Sequence, residues 1–267
     1  MSLYRFPDYQ VTGDADTTVF LLHGAYGSKR YYEHETEVLV RAGYRVVAWD
    51  APGYGISPLP GDYSIEGLAD TCAELIRRTG TRRNVLFGHS MGGIIAPRVA
   101  VTLPDRVNAL IVSATLGSFT RKSAEDRRVF LEERLAPLDR GLTLADAAMP
   151  VIRSMFAPGS QGPLVDRVIE VAAATPLKTF RAAITAIVNY DGDAALAQIA
   201  VPTLLIAGEY DKVGRPEGMR ETAKSIRGAE FVCVPNSAHY AWAEQPDLFN
   251  QHLLGFIERA LAARTNA

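Results

Sequence analysis

Short runs of consecutive apolar residues recur along the chain, separated by longer amphipathic segments and by turns rich in glycine and proline. Runs of strand length without polar alternation are typical of strands that are buried on both faces of a parallel sheet. Such strands are predicted at 18–22, 45–49, 85–87, 109–113, 203–207 and 230–234. Helix-compatible segments are predicted at 31–42, 64–78, 94–99, 217–227 and 247–263. Alternating strands and helices predict an α/β fold: a mostly parallel central sheet with helices on both faces.

Two regions depart from this alternation. Residues 1–17 have room for one abbreviated strand or hairpin only. From about 117 to 200 no strand is predicted, and helical segments are interrupted by prolines at 137, 150, 158, 163 and 176. This block is expected to be a helical insertion that lies over one edge of the sheet.

Acidic and basic residues alternate near the start of the insertion, at 125–128 and 132–134. This pattern is typical of a solvated helix face, and an anion-binding patch is the alternative.

The net charge and the apolar content of the chain argue against some classes of binding partner. The 267 residues carry a net charge of −2, which removes the electrostatic argument for nucleic acid or an anionic membrane. The N-terminal residues lack the apolar run of a signal peptide, and no segment reaches the roughly 20 apolar residues that span a bilayer. We therefore expect a cytoplasmic protein. Cys72 and Cys233 are interpreted as buried reduced thiols rather than as a disulfide.

The strongest chemical signal is Gly88-His89-Ser90-Met91-Gly92, which follows the predicted strand 85–87 and precedes a helix-compatible segment. This is the context of a nucleophile elbow, in which a serine at the apex of a tight turn needs glycine two residues before and after it. The turn leaves the Met91 N–H at a helix start, directed towards an oxyanion that forms at Ser90. A chance pentapeptide in a glycine-rich chain is the alternative, so further residues are needed.

A serine nucleophile needs a histidine base that is oriented by a carboxylate. His239 follows the last strand and therefore lies at the carboxyl edge of the sheet, where ligand sites of such folds are found. His89 is predicted to point away from the Ser90 hydroxyl, and His23 to tie its own loop together by hydrogen bonds. His34 and His252 lie within amphipathic helices, where surface or packing roles are expected.

Two carboxylates compete for the orienting role. Asp211 and Glu209 both follow the strand 203–207, and Asp211 is preferred because it has more freedom to reach the His239 loop. The loop after the strand 18–22 is expected to supply a second oxyanion donor, the Ala25 N–H.

Together these residues resemble an α/β-hydrolase-fold enzyme with a helical cap. The elements of the resemblance are His23-Gly24, the 50–57 loop with Asp50, Gly53, Gly55 and Ser57, the Ser90 elbow, Gly208-x-x-Asp211, and Ser237-Ala238-His239. The resemblance implies a catalytic triad of Ser90, Asp211 and His239 and an oxyanion hole of Ala25 and Met91. It further implies a structural role for the 50–57 loop, a core of residues 1–116 and 191–267, and a cap of 117–190 inserted after the sixth core strand.

The resemblance does not fix the reaction. Relatives that form an alkyl-enzyme ester need an aspartate at the elbow, so Ser90 favours acyl transfer. Hydrolysis of a carboxylic ester or lactone is the preferred function. The alternatives are C–C bond hydrolysis of ring-fission products, a cofactor-independent lyase or dioxygenase reaction, and, least favoured, a non-catalytic receptor.

The expected substrate is a small, apolar-to-amphipathic molecule under the cap. Tyr26, Tyr240 and Trp242 are candidates for its pocket, and core packing is the alternative for each. No cofactor and no metal are expected, because the histidines are dispersed and no phosphate-binding glycine loop is present. No nucleic-acid or membrane partner is expected, and a homodimer stays open.

Overall fold

A computed structural model describes residues 6–115 and 117–265. In this part of the chain, seven strands form one sheet in the order β1-β3-β2-β4-β5-β6-β7. The strands are β1 Tyr9–Thr12, β2 Thr17–Leu22, β3 Arg45–Trp49, β4 Arg83–His89, β5 Val107–Ser113, β6 Thr203–Gly208 and β7 Glu230–Val234. All neighbours are parallel except β1, which pairs antiparallel with β3. The predicted fold class, a mostly parallel sheet surrounded by helices, is confirmed.

The described segment before β2 forms one strand of four residues, as predicted. Within residues 6–115 the helical insertion follows five strands, β1 to β5, whereas the resemblance implies six core strands before it. Gly13, with a φ of 83°, turns the chain between β1 and β2.

The helices of the core, except α10, appear where the periodicity predicted them. They are α1 Glu33–Arg41, α2 Ile65–Thr79 and α3 Met91–Thr102 in the first half, and α9 Pro216–Lys224, α10 Ala241–Glu244 and α11 Pro246–Thr265 in the second. Ser64 caps α2, because its hydroxyl accepts a hydrogen bond from the Gly67 N–H at 3.1 Å. The four-residue helix α10 was not predicted from sequence.

The insertion between β5 and β6 consists of α4 Ala124–Asp139, α5 Leu144–Ser154, α6 Pro163–Ala173, α7 Leu177–Asn189 and α8 Asp193–Gln198. Pro137 and Pro150 were predicted to interrupt helices, but they lie inside α4 and α5. Each proline removes one backbone hydrogen bond. Burial of Leu138 and Ile152 in the same helices offsets that loss.

The core lies on both faces of the central strands: residues 19–22 of β2 and 85–87 of β4 have no solvent exposure. Cys72 is buried in α2 and Cys233 is half-buried in β7, and both are free thiols. Within the described ranges, no single helix is long and apolar enough to cross a membrane. One pair, α6 with α7, meets that criterion together by length and composition, across a 99° bend.

Candidate active site

Ser90 occupies the turn between β4 and α3, with φ 53° and ψ −114°. A positive φ is costly for a residue with a side chain and persists only where the surroundings enforce it. The Ser90 N–H donates to the Ser113 carbonyl of β5 at 2.9 Å, and the Gly92 N–H donates to the His23 carbonyl at 3.1 Å. The turn is thus pinned to the strands on both sides of it.

The glycines at −2 and +2 from Ser90 are sterically required. A Cβ at Gly88 would lie 2.2 Å from the Gly92 carbonyl oxygen, and a Cβ at Gly92 would lie 2.1 Å from that of Leu22. Both neighbours are backbone atoms, which cannot turn aside as a side chain can. The pentapeptide is therefore the product of the turn geometry and not of chance.

His239 and Asp211 meet at the carboxyl edge of the sheet. His239 Nδ1 lies 2.9 Å from Asp211 Oδ2, and both side chains are almost fully buried. The other oxygen of Asp211 accepts from the Val213 and Gly214 N–H groups at 2.7 and 3.1 Å. Because a carboxylate only accepts, the hydrogen between it and the imidazole belongs to His239 Nδ1. This leaves His239 Nε2 free to accept a proton.

Glu209, the competing carboxylate, has a different partner. It is exposed, and its Oε2 accepts from the Asn236 N–H at 2.9 Å. Asn236 has a φ of 53°, so this bond helps to hold the strained turn that precedes His239. The structure thus brings Asp211, and not Glu209, to the histidine.

The other histidines do not take that position. His23 ties its loop together as predicted: its Nε2 accepts from the Ala51 N–H at 3.0 Å, and its Nδ1 then donates to the Gly24 carbonyl at 2.8 Å. His89 is fully buried, with neither ring nitrogen hydrogen-bonded within the described residues. Burial holds the pKa of His89 well below its ordinary value. His34 and His252 are half-buried on α1 and α11.

The Ala25 and Met91 amides flank the Ser90 turn. Met91 is the first residue of α3, so its N–H has no partner inside the helix. The Ala25 loop is held by two buried tyrosines: the Tyr54 hydroxyl donates to the Ala25 carbonyl, and the Tyr31 hydroxyl donates to the Tyr26 carbonyl, both at 2.8 Å. Burial raises the pKa of both phenols well above the ordinary value, which keeps them protonated as donors.

These groups line one narrow cavity of about 30 Å³, which we call the inner cavity. Ser90, His239, Ala25 and Met91 form its floor, and Ile184 and Ile187 of the insertion form part of its apolar roof. A volume of about 30 Å³ admits roughly two water molecules.

Of the three aromatic residues predicted to line the pocket, two line the inner cavity. Tyr26 and Tyr240 line the inner cavity, whereas Trp242 does not. Trp242 is fully buried behind them, with ring centroids 5.3 Å from Tyr31 and 5.4 Å from Tyr32. The alternative interpretation, core packing, applies to Trp242 because α10 turns its ring towards the sheet.

Sequence reasoning missed two charged residues near the cavity. Arg134 was assigned to a solvated face of α4, but it lines the inner cavity and is 9% exposed. The available signal was its spacing, since Phe130, Arg134 and Leu138 follow one another at intervals of four on one helix face. Glu244 was not noticed, and it accepts hydrogen bonds from the Ala157, Ala238 and Tyr240 N–H groups and from the Ser160 hydroxyl.

A serine at a strained turn, a histidine hydrogen-bonded to a buried carboxylate, and a free amide at a helix start are groups that acyl transfer requires. In the described ranges, no three His, Cys, Asp or Glu side chains form a metal-binding cluster. The fold and these groups define the class of the protein as an α/β hydrolase. The chain belongs to the alpha/beta hydrolase family, whose model matches residues 19–252.

Individual relatives span nearly the whole chain. The protein named "Putative carbamate hydrolase RutD" of Variovorax paradoxus is 30% identical, over 95% of this chain and 97% of its own. The pimeloyl-[acyl-carrier protein] methyl ester esterase of Neisseria meningitidis is 26% identical, over 92% and 95%. Among solved structures, an esterase from Exiguobacterium antarcticum has a TM-score of 0.84 at 22% identity, with 94% of each chain covered. At 22% identity, the similarity to this esterase structure shows a shared fold only.

Proposed function

We propose that this hydrolase cleaves a carboxylic ester or lactone of a small molecule through an acyl-enzyme on Ser90. The observation that carries the proposal is that His239, which is hydrogen-bonded to Asp211, lines the same inner cavity as the strained Ser90 turn. The relative that is a methyl ester esterase supports an ester as the scissile group.

In the first half of the reaction, Ser90 Oγ attacks the carbonyl carbon while His239 Nε2 accepts its proton. The Ala25 and Met91 N–H groups donate to the oxyanion of the tetrahedral intermediate, and Asp211 stabilises the imidazolium through Nδ1–H. His239 then protonates the leaving alkoxide, which departs as the alcohol from an ester and remains as a hydroxyl group on the acyl chain of an opened lactone. In the second half, water loses a proton to His239 and attacks the acyl-enzyme. The bond to Ser90 Oγ breaks, His239 returns the proton to that oxygen, and the acid is released.

We further propose that residues 117–190 act as a cap over this site. Three contacts join the insertion to the core beside the inner cavity. The His239 N–H donates to the Met155 carbonyl at 2.9 Å, the Thr179 hydroxyl donates to the Gly53 carbonyl at 2.6 Å, and Glu244 binds the 157–160 segment. Because the inner cavity is small, an acyl group needs movement of cap side chains to enter.

A carbamate is the second candidate, favoured by the name of the 30% identical relative. The same serine would attack the carbamate carbonyl and release an amine or alcohol. The chemistry at Ser90 is shared, so substrate preference distinguishes the two candidates.

The test compares p-nitrophenyl esters of increasing chain length, a lactone and an aryl carbamate on the wild type and on Ser90→Ala. The matched control is Ser113→Ala, which removes a buried hydroxyl without a hydrogen-bond partner in the described structure, on the neighbouring strand end. We expect ester turnover in the wild type and the control, and none with Ser90→Ala. Fluorophosphonate labelling, located by peptide mass, should fall on Ser90.

Two outcomes would count against an ester as the substrate, and a third would count against Ser90 as the nucleophile. A preference for the carbamate favours the second candidate. Cleavage of a ring-fission product by the wild type, without hydrolysis of any ester, would favour a C–C hydrolase. Labelling and turnover that survive Ser90→Ala would overturn nucleophilic catalysis by this serine.

A further inference from the structure

Arg134 places a positive charge in the wall of the inner cavity. It belongs to α4 of the insertion and lines both the inner cavity and a larger space outside it, the outer groove, of about 650 Å³. The residues shared by the two spaces are Phe119, Phe130, Arg134, Met155 and Val213, which we call the dividing wall. Apart from Arg134, the side chains of this wall are apolar.

The charge of Arg134 is incompletely compensated by the protein. Its Nη1 donates to the Phe130 carbonyl at 3.1 Å, and its guanidinium lies 3.6 Å from the centroid of the Phe130 ring. The carboxylate nearest to it in the described chain, Glu133, is 3.5 Å away and 65% exposed. A guanidinium has five N–H donors, and among the described residues Arg134 makes one hydrogen bond and one ion pair. Burial accordingly lowers the pKa of Arg134.

Two buried phenols share the inner cavity with Arg134. Tyr26 and Tyr240 both line this cavity, and they are 5% and 2% exposed. The inner cavity thus has Ser90 at its floor and the guanidinium of Arg134 in its wall.

The approach to the wall is also basic. Besides Arg134, the outer groove is lined by Lys122, Lys212 and Arg215, against the acidic side chains Asp126 and Glu133. A cleft lined with an excess of one charge raises the local concentration of the opposite charge. An anionic substrate would therefore be drawn towards the dividing wall.

We propose that Arg134 binds a carboxylate of the substrate, so that the substrate class is the half-ester of a dicarboxylic acid. This inference rests on the proposed ester hydrolysis at Ser90. A planar guanidinium matches a carboxylate with two parallel hydrogen bonds. A single guanidinium in an apolar wall suits one negative charge, whereas a dianionic phosphate would leave a second charge buried.

The test uses matched esters in a pH-stat assay: monomethyl glutarate, adipate and suberate, each beside its neutral amide isostere, such as methyl adipamate. We expect kcat/KM of the best half-ester to exceed that of its amide isostere by at least about 10-fold. Arg134→Met should lower kcat/KM for the half-ester by about 10- to 100-fold more than for the amide ester, chiefly through KM. Arg134→Lys should recover part of the loss.

The control is Arg128→Met on the same helix, where the side chain is 56% exposed and paired with Glu125 and Glu132. It should not change the preference. Adipate should inhibit hydrolysis of a neutral ester competitively in the wild type and weakly in Arg134→Met, with inorganic phosphate as the comparison anion.

Equal losses on both substrates with Arg134→Met, or no wild-type preference for half-esters, would overturn the carboxylate site while ester hydrolysis stands. Stronger inhibition by phosphate than by adipate would overturn the carboxylate in favour of a phosphorylated ligand. Absence of any Ser90-dependent ester turnover would instead overturn the proposed function itself.

Discussion

The backbone N–H of His239 donates a hydrogen bond to the carbonyl of Met155 at 2.9 Å, so the proposed base is attached directly to the helical insertion. Met155 also contacts the Tyr240 hydroxyl through its sulfur at 3.8 Å and forms part of the dividing wall. A displacement of the insertion at Met155 would therefore shift the backbone of His239 and with it the imidazole. The position of the proposed base therefore depends on the position of the insertion.

Glu244 should control this coupling, because its two oxygens accept four hydrogen bonds, two from the 157–160 segment and two from the 238–240 loop. Glu244→Gln keeps the size but replaces one acceptor oxygen with a donor. We expect a loss of about 1–3 kcal/mol of stability and a fall of about 10-fold in kcat. Thermal unfolding and steady-state kinetics measure both. The control is Glu258→Gln on the exposed side of α11, and unchanged values for Glu244→Gln would contradict the coupling.

Asp211→Asn should lower kcat by about 10³- to 10⁴-fold, because the amide no longer fixes the tautomer of His239 or stabilises the imidazolium. Glu209→Gln changes only the bond to the Asn236 N–H and should cost less than about 10-fold. The comparison needs only kcat at saturating ester. The reverse order of effects would assign the orienting role to Glu209.

Gly92→Ala should destabilise the fold by about 3 kcal/mol or more, since its Cβ would meet the Leu22 carbonyl oxygen of β2 at 2.1 Å. In a chain of this size that loss corresponds to a decrease in Tm of roughly 6–12 °C. Gly61→Ala is the control, because a Cβ there has no described atom within 4 Å. Equal Tm values for the two variants would show that the elbow tolerates a side chain.

Glu35 should make stability depend on pH. It is fully buried in α1, its two carboxylate oxygens have no partner in the described structure, and burial raises its pKa from 4.5 to about 8. Between those values the unfolded chain releases this proton while the folded chain keeps it, so this group lowers stability as pH rises from about 4.5 to 8.

Glu35→Gln is neutral at every pH, so its stability relative to the wild type should increase between pH 5 and pH 9. The increase should be about 1.4 kcal/mol for each pH unit that lies between the pKa of the unfolded chain and that of the folded chain. Chemical denaturation at pH 5 and at pH 9 measures the difference. Glu37→Gln, on the exposed side of the same helix, should show no such trend. A constant difference between Glu35→Gln and the wild type would mean that Glu35 is ionised in the folded protein.

Local sequence was sufficient for the strands, most helices and the Ser90 turn. The runs 19–22 and 85–87 are apolar without interruption because both faces of their strands are covered, and burial of such runs dominates their local preference. Gly88, Ser90 and Gly92 specify their turn by sterics among neighbours in sequence. The His23 hydrogen bonds were predicted for the same reason, since they lie within one short loop and the strand end beside it.

The sequence alone could not decide which side chains meet across the fold. Whether Asp211 or Glu209 reaches His239, whether Trp242 faces the cavity, and whether Arg134 faces water all depend on the relative placement of elements far apart in the chain. A charge pattern on α4 predicts exposure only if that face of the helix is open to solvent. Here the face that carries Arg134 lines the inner cavity. Sequence thus determined the sheet and the elbow through local burial and backbone sterics, and tertiary packing decided the partner of His239 and the presence of Arg134 in the lining of the inner cavity.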